Sequence, residues 1–334
     1  MKARACCACL CALLLIAAIL WQLLSLFYSV QFKLRVYPVN SRYNGKLFVK
    51  TKATETLCER FEKTPIVIPA SYNDVSDTVR AVINEEHQDF FLRELSRPAA
   101  AVIPKHIHQT YRKADKLGRL RQIPAKVALN HRMYAQGYNR TVYCDSEILA
   151  FLATYFTPAV VEAFKQVEGP HKSDIFRYAK LFVDGGIYLD IKTILIKKLD
   201  FIFRTSHKKP TTFVCMAYNR CLIYNGIIAS PRHNQIFLKL LRHYVDIKKP
   251  IVEYQASNQF FYSLLSNGSN ALLPVHGASG EKIFEYTFYE EFMRPLTECL
   301  DGPDKFGACF MIFDSHVPIF GVRYPDYPWD SNFW

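Results

Sequence analysis

Hydrophobic and polar positions along this chain follow two periods. Apolar residues at three- and four-residue steps predict helices at 77–95, 123–134, 146–155, 158–167, 234–244, and from Ser173 up to a glycine pair at 185–186. Short apolar runs that end in polar or acidic residues predict strands at 102–111, 138–143, 187–189, 193–199, 213–218, 223–229 and 310–313. This alternation of strands and helices predicts an α/β fold with a mostly parallel, doubly wound sheet flanked by helices.

The first apolar run is longer than any helix of an ordinary core. Residues 5–30 are almost uniformly apolar and are long enough to span the roughly 30 Å hydrocarbon core of a bilayer. Basic residues lie on both sides of this run, so the charge bias does not fix its orientation. A cleaved signal peptide is the alternative, although its apolar core would be shorter and no clear cleavage site follows. We predict a cytosolic tail at 1–4, a transmembrane signal anchor at 5–30 and a stem with a helix at 31–98.

Charge narrows the classes of partner. The 334 residues have a formal net charge of +12, which suits an anionic ligand, a membrane surface or nucleic acid. The sequence has no zinc-finger spacing, basic helix or RNA-recognition motif. We therefore expect no nucleic-acid partner.

Six cysteines follow the apolar run, and an even number permits disulfides in an oxidising lumen. Cys215 with Cys221 and Cys299 with Cys309 are near in sequence, but the sequence does not determine the pairing. Two glycosylation sequons begin at Asn139 and Asn267. Because both follow the apolar run, they favour a lumenal catalytic part.

The most informative stretch is 173–190. Asp174 and Arg177 are three residues apart on the predicted helix, so a carboxylate and a guanidinium lie side by side. The pair Gly185–Gly186 predicts a sharp turn or a close backbone approach. A short buried strand then places Asp190 at its carboxyl end, which is the sheet edge where α/β proteins bind ligands.

This stretch resembles the sugar-binding region of glycosyltransferase family 32 and of other DXD enzymes, including α-1,6-mannosyltransferases, α-1,4-galactosyltransferases and the clostridial glucosylating toxins. The shared pattern is S-D-x-x-R, a short helix, and G-G-x-Y-L-D-x-D. It is present here as Ser173, Asp174, Arg177, Gly185, Gly186, Tyr188, Leu189 and Asp190, and Lys192 replaces the last acid. Residues 102–111 resemble the opening strand of that family, and 224–233 resemble its N-x-x-x-A-x-P segment.

The resemblance implies a Rossmann-like GT-A domain over 99–334 and a role for each matched residue. Asp174 and Arg177 would hold the donor sugar, and Asp190 would hold the ribose or a hydrated metal ion. The implied donor-binding set is His108, Gln109, Tyr111, Gly185, Gly186, Tyr188, Lys192 and Asn225. For His108 a core or turn histidine with a satisfied hydrogen bond is the alternative, and for Asn225 it is a turn residue. Asp314 and His316, late in the chain, are candidates for the diphosphate or metal site together with Asp190.

The metal expectation is in doubt because of Lys192. Family members place Mn²⁺, or a similar hard cation such as Mg²⁺, between the acids and the diphosphate. A lysine cannot ligate that ion and would repel it. Lys192 could neutralise the diphosphate itself, or another acid such as Asp184 or Asp314 could supply the missing ligand. The third alternative is a non-catalytic relative.

Together these features predict a membrane-anchored glycosyltransferase. It would move a sugar from a UDP- or GDP-sugar to a glycan, lipid or protein acceptor, and family precedent implies retention of configuration. The expected location is the Golgi membrane or the ER, as a single-pass type II protein with a lumenal catalytic domain. The alternative function is a catalytically inactive lectin or scaffold with the same fold.

Overall fold

The computed structural model describes residues 70–98, 102–111, 123, 125–167, 169–203, 210–217, 222–247, 256–266, 285–295, 308–314 and 317–321. The predicted anchor at 5–30, most of the predicted stem, Asn267 and His316 lie outside these ranges. Among the residues described, no helix is both long and apolar enough to cross a membrane.

Nine α-helices occur within the described ranges, after a short 3₁₀ turn at Ala70–Asn73. The helices are α1 (Val75–Val82), α2 (Glu85–Ser96), α3 (Ala125–Tyr134), α4 (Asp145–Tyr155), α5 (Pro158–Gln166), α6 (Pro170–Val183), α7 (Leu199–Ile202), α8 (Gln235–Asp246) and α9 (Ala256–Ser266). The strands are β1 (His106–Thr110), β2 (Asn139–Tyr143), β3 (Gly186–Leu189), β4 (Ile194–Leu195), β5 (Thr211–Met216), β6 (Ile223–Ser230), β7 (Glu285–Pro295), β8 (Ala308–Asp314) and β9 (Val317–Gly321).

The described strands form one mixed sheet in the order β2-β1-β3-β6-β5-β7-β8-β9-β4. The predicted α/β class is therefore confirmed. Six of these nine strands point the same way, as a mostly parallel sheet requires, but only three of the eight neighbouring pairs are parallel. The parallel part that the βα alternation predicts is β2-β1-β3, and antiparallel pairs dominate from β6 outwards.

The sheet separates two apolar layers because side chains of a strand alternate between its faces. On β3, Tyr188 joins the larger cluster with the helices α1, α2, α4, α5, α6, α8 and α9. Ile187 and Leu189 join the second cluster on the opposite face, with Leu195, Leu199 and Phe320. Both faces of β3 are thus buried, which fixes the direction in which its end delivers Asp190.

Helix α6 is the central helix of the larger layer. Eleven of its fourteen residues are buried, as expected of a helix that is covered on nearly all sides. It begins earlier than predicted: Gly169 is the N-cap and Pro170 is the first helical residue, so Ser173 does not cap it. Pro170 can start the helix because the first turn needs no backbone donor from it. Asp174 consequently lies in the second turn, where α8 and α9 can reach it.

The predicted boundary of the stem at residue 98 is too late. Val79, Val82 and Phe91 belong to the main core, and Tyr72 donates a hydrogen bond of 2.7 Å to Asp246 on α8. The predicted single helix at 77–95 is two helices, because Ile83 is extended and forms a β-bridge with Phe156. Residues 70–98 are therefore part of the folded domain.

A second correction concerns the segment after Asp190. The predicted strand at 193–199 is only the two-residue strand β4, which pairs with β9. Residues from Leu199 onwards turn into the short helix α7 and bury Leu199 and Ile202 in the second cluster. An apolar run alone does not distinguish these two outcomes.

Two of the six cysteines beyond the apolar run are described as free and buried, Cys144 and Cys215. Burial raises the pKa of the Cys215 thiol, and the charge of Glu291 adds to this effect. Cys215 therefore forms no disulfide in this structure, and its candidate partner Cys221 lies outside the described residues. Cys144 instead precedes α4, where its backbone N–H donates to Glu147.

The turn between α6 and β3 gives a stability prediction. Gly186 has φ +98°, and an added Cβ would lie 2.7 Å from the backbone oxygen of His106. Gly137 also has a positive φ, of +81°, but its added Cβ would meet nothing within 4 Å. Gly137→Ala should therefore cost about 1–2 kcal/mol of unfolding free energy from backbone strain alone. Gly186→Ala should cost clearly more, because β1 or β3 must move.

Denaturant unfolding of the two variants and the unchanged protein measures this difference. Equal losses for Gly137→Ala and Gly186→Ala would contradict the close packing of the turn against β1.

Candidate active site

The carboxyl ends of β1, β2 and β3 lie at one edge of the sheet because these strands are parallel. Helix α6 leads into β3, so its first turns reach the same edge. Ser173 Oγ lies 2.9 Å from Thr110 Oγ1 at the end of β1, and Lys172 Nζ lies 3.3 Å from a carboxylate oxygen of Asp145 after β2. This edge is the place where α/β sheets bind ligands.

Arg177 joins α6 to the end of β3. Its Nη2 lies 3.2 Å from Asp174 Oδ1 and 3.5 Å from Asp190 Oδ1. The guanidinium carbon lies 4.3 Å from the centre of the Tyr188 ring, and Nε donates to the backbone oxygen of Ser173. The predicted convergence of Asp174, Arg177 and Asp190 is therefore present in the structure.

Hydrogen-bond donors of the protein contact both carboxylate oxygens of Asp174. Asn225 Nδ2 donates to Oδ1 at 2.8 Å, and the hydroxyls of Tyr244 and Ser257 donate to Oδ2 at 3.0 and 2.8 Å. Its side chain is buried, and His171 Nδ1 lies 3.5 Å from Oδ2. Both oxygens thus face protein donors. In this structure Asp174 positions Arg177, and its direct contact with a donor sugar stays a prediction.

Electrostatics keep this pair ionised although it is buried. Burial alone would raise the pKa of Asp174, but the charge of Arg177 and hydrogen bonds from His171 and Ser257 hold that pKa below its ordinary value. Burial opposes the charge on Arg177, while Tyr188, Asp174 and Asp190 raise the pKa of Arg177 above its ordinary value. Burial also raises the pKa of Tyr188 to about 12, so its hydroxyl stays protonated.

Asp190 follows β3 and faces several partners. Its backbone N–H donates to the carbonyl of Gly226 at 2.8 Å, which extends the pairing of β3 with β6. Its Oδ2 accepts a hydrogen bond of 3.4 Å from Tyr224, and Lys192 Nζ lies 3.9 Å from the same oxygen. The Asp190 side chain is 22% exposed, whereas that of the other carboxylate, Asp174, is 5% exposed. It is therefore the more accessible anion of the two.

Glycine is required next to Tyr224. A Cβ at Gly226 would collide with the Tyr224 ring and would lie 2.7 Å from Asp190 Oδ2. The absence of a side chain at Gly226 therefore lets Tyr224 reach Asp190.

One donor of Arg177 has no protein partner within the described residues. The guanidinium Nη1 is buried and makes no hydrogen bond, although Nη2 and Nε are both paired. A buried unpaired donor on a charged group costs free energy unless a ligand completes it. Nη1 is therefore the donor of Arg177 that the described residues leave unpaired.

Several predicted donor contacts lie elsewhere. His108 is buried under the glycine turn, with Nε2 3.0 Å from the Gly185 oxygen and Nδ1 3.3 Å from the Tyr143 hydroxyl. Burial, with the charges of His106 and Lys180, lowers the pKa of His108 to about 3, so it is neutral. The alternative of a structural histidine describes it better than a nucleotide contact.

Gly185 and Gly186 are also structural. They form the turn that precedes β3, while Asp190 follows the same strand, and a four-residue strand is about 13 Å long. The pair therefore lies at the opposite end of β3 from Asp190, and its contact with a donor stays a prediction.

Gln109 and Asn225 support the site from inside. Gln109 is buried, and its Nε2 donates to the backbone oxygens of Leu189 and Asp190 at 3.2 and 3.5 Å. Asn225 Nδ2 donates to Asp174 and to the hydroxyl of Tyr178. Both amides hold site residues in place, while Tyr111 lies at the correct sheet edge, after β1. Its stacking on a nucleobase stays a prediction.

Within the described part of the chain, the carboxylates proposed as metal ligands, Asp184, Asp190 and Asp314, are not grouped together. Within the described ranges, no group of three or more histidine, cysteine, aspartate or glutamate side chains is arranged to hold a metal ion. Asp184, a proposed substitute ligand, lies at the other end of β3, and its carboxylate is 2.6 Å from Lys180 Nζ. Asp314 ends β8, which three strands separate from β3, and its role stays a prediction.

The sequence analysis missed the residues that surround Asp174. Tyr244 and Ser257 lie on α8 and α9, about 70 and 80 positions after Asp174 in the sequence. No local sequence pattern predicts their contact with it. Tyr178 lies one turn along α6 from Asp174. Its spacing of four residues could have predicted that the two side chains are neighbours. Tyr224 is adjacent to the predicted Asn225, so its neighbourhood could have suggested it.

Comparison with known proteins agrees with this geometry. Residues 120–208, which include α6, β3 and Lys192, match the family model of a glycosyltransferase sugar-binding region containing the DXD motif. The central segment is thus similar to glycosyltransferase sugar-binding regions. The predicted resemblance is thereby confirmed for this part of the chain.

Two glycosyltransferases are similar to it in sequence. An initiation-specific α-1,6-mannosyltransferase of Saccharomyces cerevisiae is 39% identical over 70 residues, covering 20% of this chain and 15% of the relative. An uncharacterised glycosyltransferase of Acanthamoeba polyphaga mimivirus is 26% identical over 199 residues, covering 57% of this chain and 66% of the relative. The chain thus spans less than two thirds of the length of each. The PaToxG glycosyltransferase is a structural neighbour, at 20% identity and a TM-score of 0.39 over 55% of this chain and 77% of the neighbour.

The buried pair gives a prediction with a pH dependence. Asp174→Asn removes the carboxylate but leaves Arg177 buried, and breaking a buried ion pair costs about 3–5 kcal/mol of unfolding free energy. Because the folded pKa of Asp174 is depressed, its contribution is complete above the unfolded value near 4 and is lost as pH falls below it. The difference between the variant and the unchanged protein should therefore narrow in acid.

Urea unfolding at neutral and acid pH measures this difference. Asp184→Asn is the matched control, because Asp184 pairs with Lys180 but is 40% exposed, and its loss should cost less than about 1 kcal/mol. Similar losses for both variants at pH 7 would contradict the role given to Asp174.

Proposed function

We propose that this protein is a hexosyltransferase that uses a nucleotide sugar as donor. One observation supports this most strongly: Arg177 is held by Asp174 and Asp190 at the ligand-binding edge of the sheet, with Nη1 unpartnered. The sugar-binding region at 120–208 surrounds this arrangement. The transfer that we infer has a UDP- or GDP-sugar as donor and a hydroxyl of a glycan, lipid or protein as acceptor.

The residues suit the charges of such a reaction. The acceptor oxygen forms a bond to the anomeric carbon, the bond to the diphosphate breaks, and its electron pair leaves with the nucleoside diphosphate. The acceptor loses its proton as the new bond forms. Positively charged donors fixed near the leaving oxygen stabilise the charge that develops there. Arg177 Nη1 supplies one such donor, and the first turn of α6 adds the positive end of a helix dipole at the same edge.

Asp190 suits a hydroxyl-rich ligand. Its carboxylate is partly exposed beside Arg177, so it can accept hydrogen bonds from the ribose or the donor sugar. Mannose is the first sugar to test, because one sequence relative is a mannosyltransferase. We also propose a GT-A architecture and retention of configuration, both of which follow from the resemblance of the 173–190 stretch.

We further propose that residues 5–30 anchor the protein as a single-pass type II protein of the Golgi membrane or the ER. The length of the apolar run supports this, and so does the position of both sequons after it. The alternative of an inactive lectin or scaffold is not favoured, because the buried ion pairs and the unpartnered Nη1 form an arrangement that suits a charged donor.

Substitution of Arg177 tests the proposed activity. Arg177→Lys keeps a positive charge but loses the planar fork that contacts two carboxylates and leaves Nη1 for a ligand. We expect release of nucleoside diphosphate from GDP-mannose or a UDP-hexose to fall roughly 100-fold. A coupled assay for released GDP or UDP, run across a panel of donor sugars, measures this change.

Arg242→Lys is the matched control. Arg242 also bridges two carboxylates, Asp77 and Asp246, but it joins α1 to α8 away from the site. Its substitution should leave the rate unchanged. Binding of a donor without any release of nucleotide by the unchanged protein would contradict the enzyme proposal and favour the lectin.

The proposed membrane orientation can be tested by N-glycosylation at Asn139. This residue is exposed on β2, the edge strand of the described sheet, so an oligosaccharide can be attached without disturbing the core. Protein expressed in the secretory pathway should shift in mass after enzymatic removal of N-glycans. Asn139→Gln should remove one glycan, whereas Arg140→Lys, which leaves the sequon intact, should not. Absence of a glycan at Asn139 would contradict the lumenal orientation.

A further inference from the structure

The turn after β3 holds a partly buried lysine beside Asp190. The backbone N–H of Thr193 donates to the backbone oxygen of Asp190 at 2.9 Å. This hydrogen bond closes a turn in which Lys192 is the third residue. The Lys192 side chain is only 12% exposed, and its Nζ lies 3.9 Å from Asp190 Oδ2. Lysine usually keeps its ammonium group in water, so this burial marks a fixed charge rather than a solvated surface group.

Helix α3 fixes that turn from the other side. His131 Nε2 lies 2.9 Å from the backbone oxygen of Thr193. Asn130 binds Leu195 twice, donating to its oxygen at 2.9 Å and accepting from its N–H at 2.8 Å. Gln109 Nε2 also donates a hydrogen bond to the backbone oxygen of Asp190. The backbone on both sides of Lys192 is therefore constrained, and its ammonium group is presented at a defined place.

A divalent cation does not fit beside this lysine. Mn²⁺ and Mg²⁺ take about six oxygen ligands, which usually include one or two carboxylates together with phosphate oxygens and water. Here Asp190 Oδ1 faces Arg177, and its Oδ2 faces both Tyr224 and Lys192. An ion ligated by Oδ2 would lie within a few ångströms of a positive ammonium group. Asp184, at the far end of β3, cannot supply a second carboxylate.

Among the described residues around Asp190, the charges balance without a metal ion. Asp174 and Asp190 provide two negative charges, and Arg177 and Lys192 provide two positive charges. An acid at position 192 would leave this group with an excess of two negative charges, which a dication would then have to neutralise. With lysine at that position, two fixed cations are already present for an anionic ligand.

We propose that Lys192 replaces the divalent cation of the donor site and binds the diphosphate directly, together with Nη1 of Arg177. This inference rests on the proposed function. It specifies which positively charged groups bind the diphosphate of the sugar donor. The ligand class is a nucleoside diphosphate or a sugar ester of one. Binding at this site is consequently independent of added metal ions.

Isothermal titration of the full chain in detergent, with UDP and GDP as probes, tests this proposal. Each titration is run in EDTA and in Mn²⁺. The unchanged protein should bind at least one of the two probes with the same affinity, within about twofold, in both conditions. Lys192→Met keeps the length of the side chain but removes its charge, and it should weaken binding in EDTA about 10-fold or more. Lys192→Arg should restore most of that affinity.

Two further variants sharpen the test. Lys192→Asp should bind weakly in EDTA and should regain affinity in Mn²⁺, because it creates the acidic pair that a dication needs. Lys180→Met is the matched control: Lys180 is buried and is also paired with an aspartate, Asp184, but at the other end of β3. It should bind both probes as the unchanged protein does. Circular dichroism melting establishes that each variant is folded.

The outcomes separate the two proposals. Binding by the unchanged protein that requires Mn²⁺, or affinity in EDTA that is unaltered in Lys192→Met, overturns the role of Lys192 and leaves the proposed function intact. Failure of the unchanged protein to bind either probe in both conditions overturns the proposed function and this inference together.

Discussion

A buried guanidinium between two carboxylates is the interaction on which this site depends. Arg177 Nη2 lies within 3.5 Å of both Asp174 and Asp190 and connects a helix to the strand that follows it. Moving such charges out of water is costly unless each one is paired and hydrogen bonded. Asn225, Tyr244 and Ser257 meet this requirement for Asp174. Three further elements, β6, α8 and α9, are thereby tied to one carboxylate.

The residues at the two ends of β3 have different roles. At its start, the glycine turn packs against His106 and His108, and Asp184 pairs with Lys180. At its end, Asp190 and Lys192 lie partly accessible beside Arg177. The first set fixes where β3 begins relative to α6, and therefore fixes where its end delivers Asp190. Residues that are neighbours in the sequence pattern thus divide into supporting residues and candidate ligand contacts.

Local patterns predicted the parts of the fold that local contacts determine. The spacing of Asp174 and Arg177, the glycine turn and the short strand before Asp190 all follow from neighbouring residues, and the structure contains each of them. The partners of Asp174 on α8 and α9 could not be predicted, because packing of distant segments brings them there. The same limit explains why the predicted stem extended too far, to residue 98: Val79 and Phe91 show a helical pattern, but only tertiary packing shows that they join the main core. Gly185, Gly186 and His108 belong to the predicted donor-binding set, and in this structure they pack together in the turn before β3.

We propose that Arg177 and Asp190 contact the same donor molecule at the carboxyl edge of β3. A crystal structure of the protein with a bound GDP- or UDP-sugar would show this contact. We expect Arg177 Nη1 to lie about 3 Å from an oxygen of the donor, with Asp190 in contact with the same molecule. A donor bound at another edge of the sheet, with Arg177 still held by protein groups alone, would contradict it.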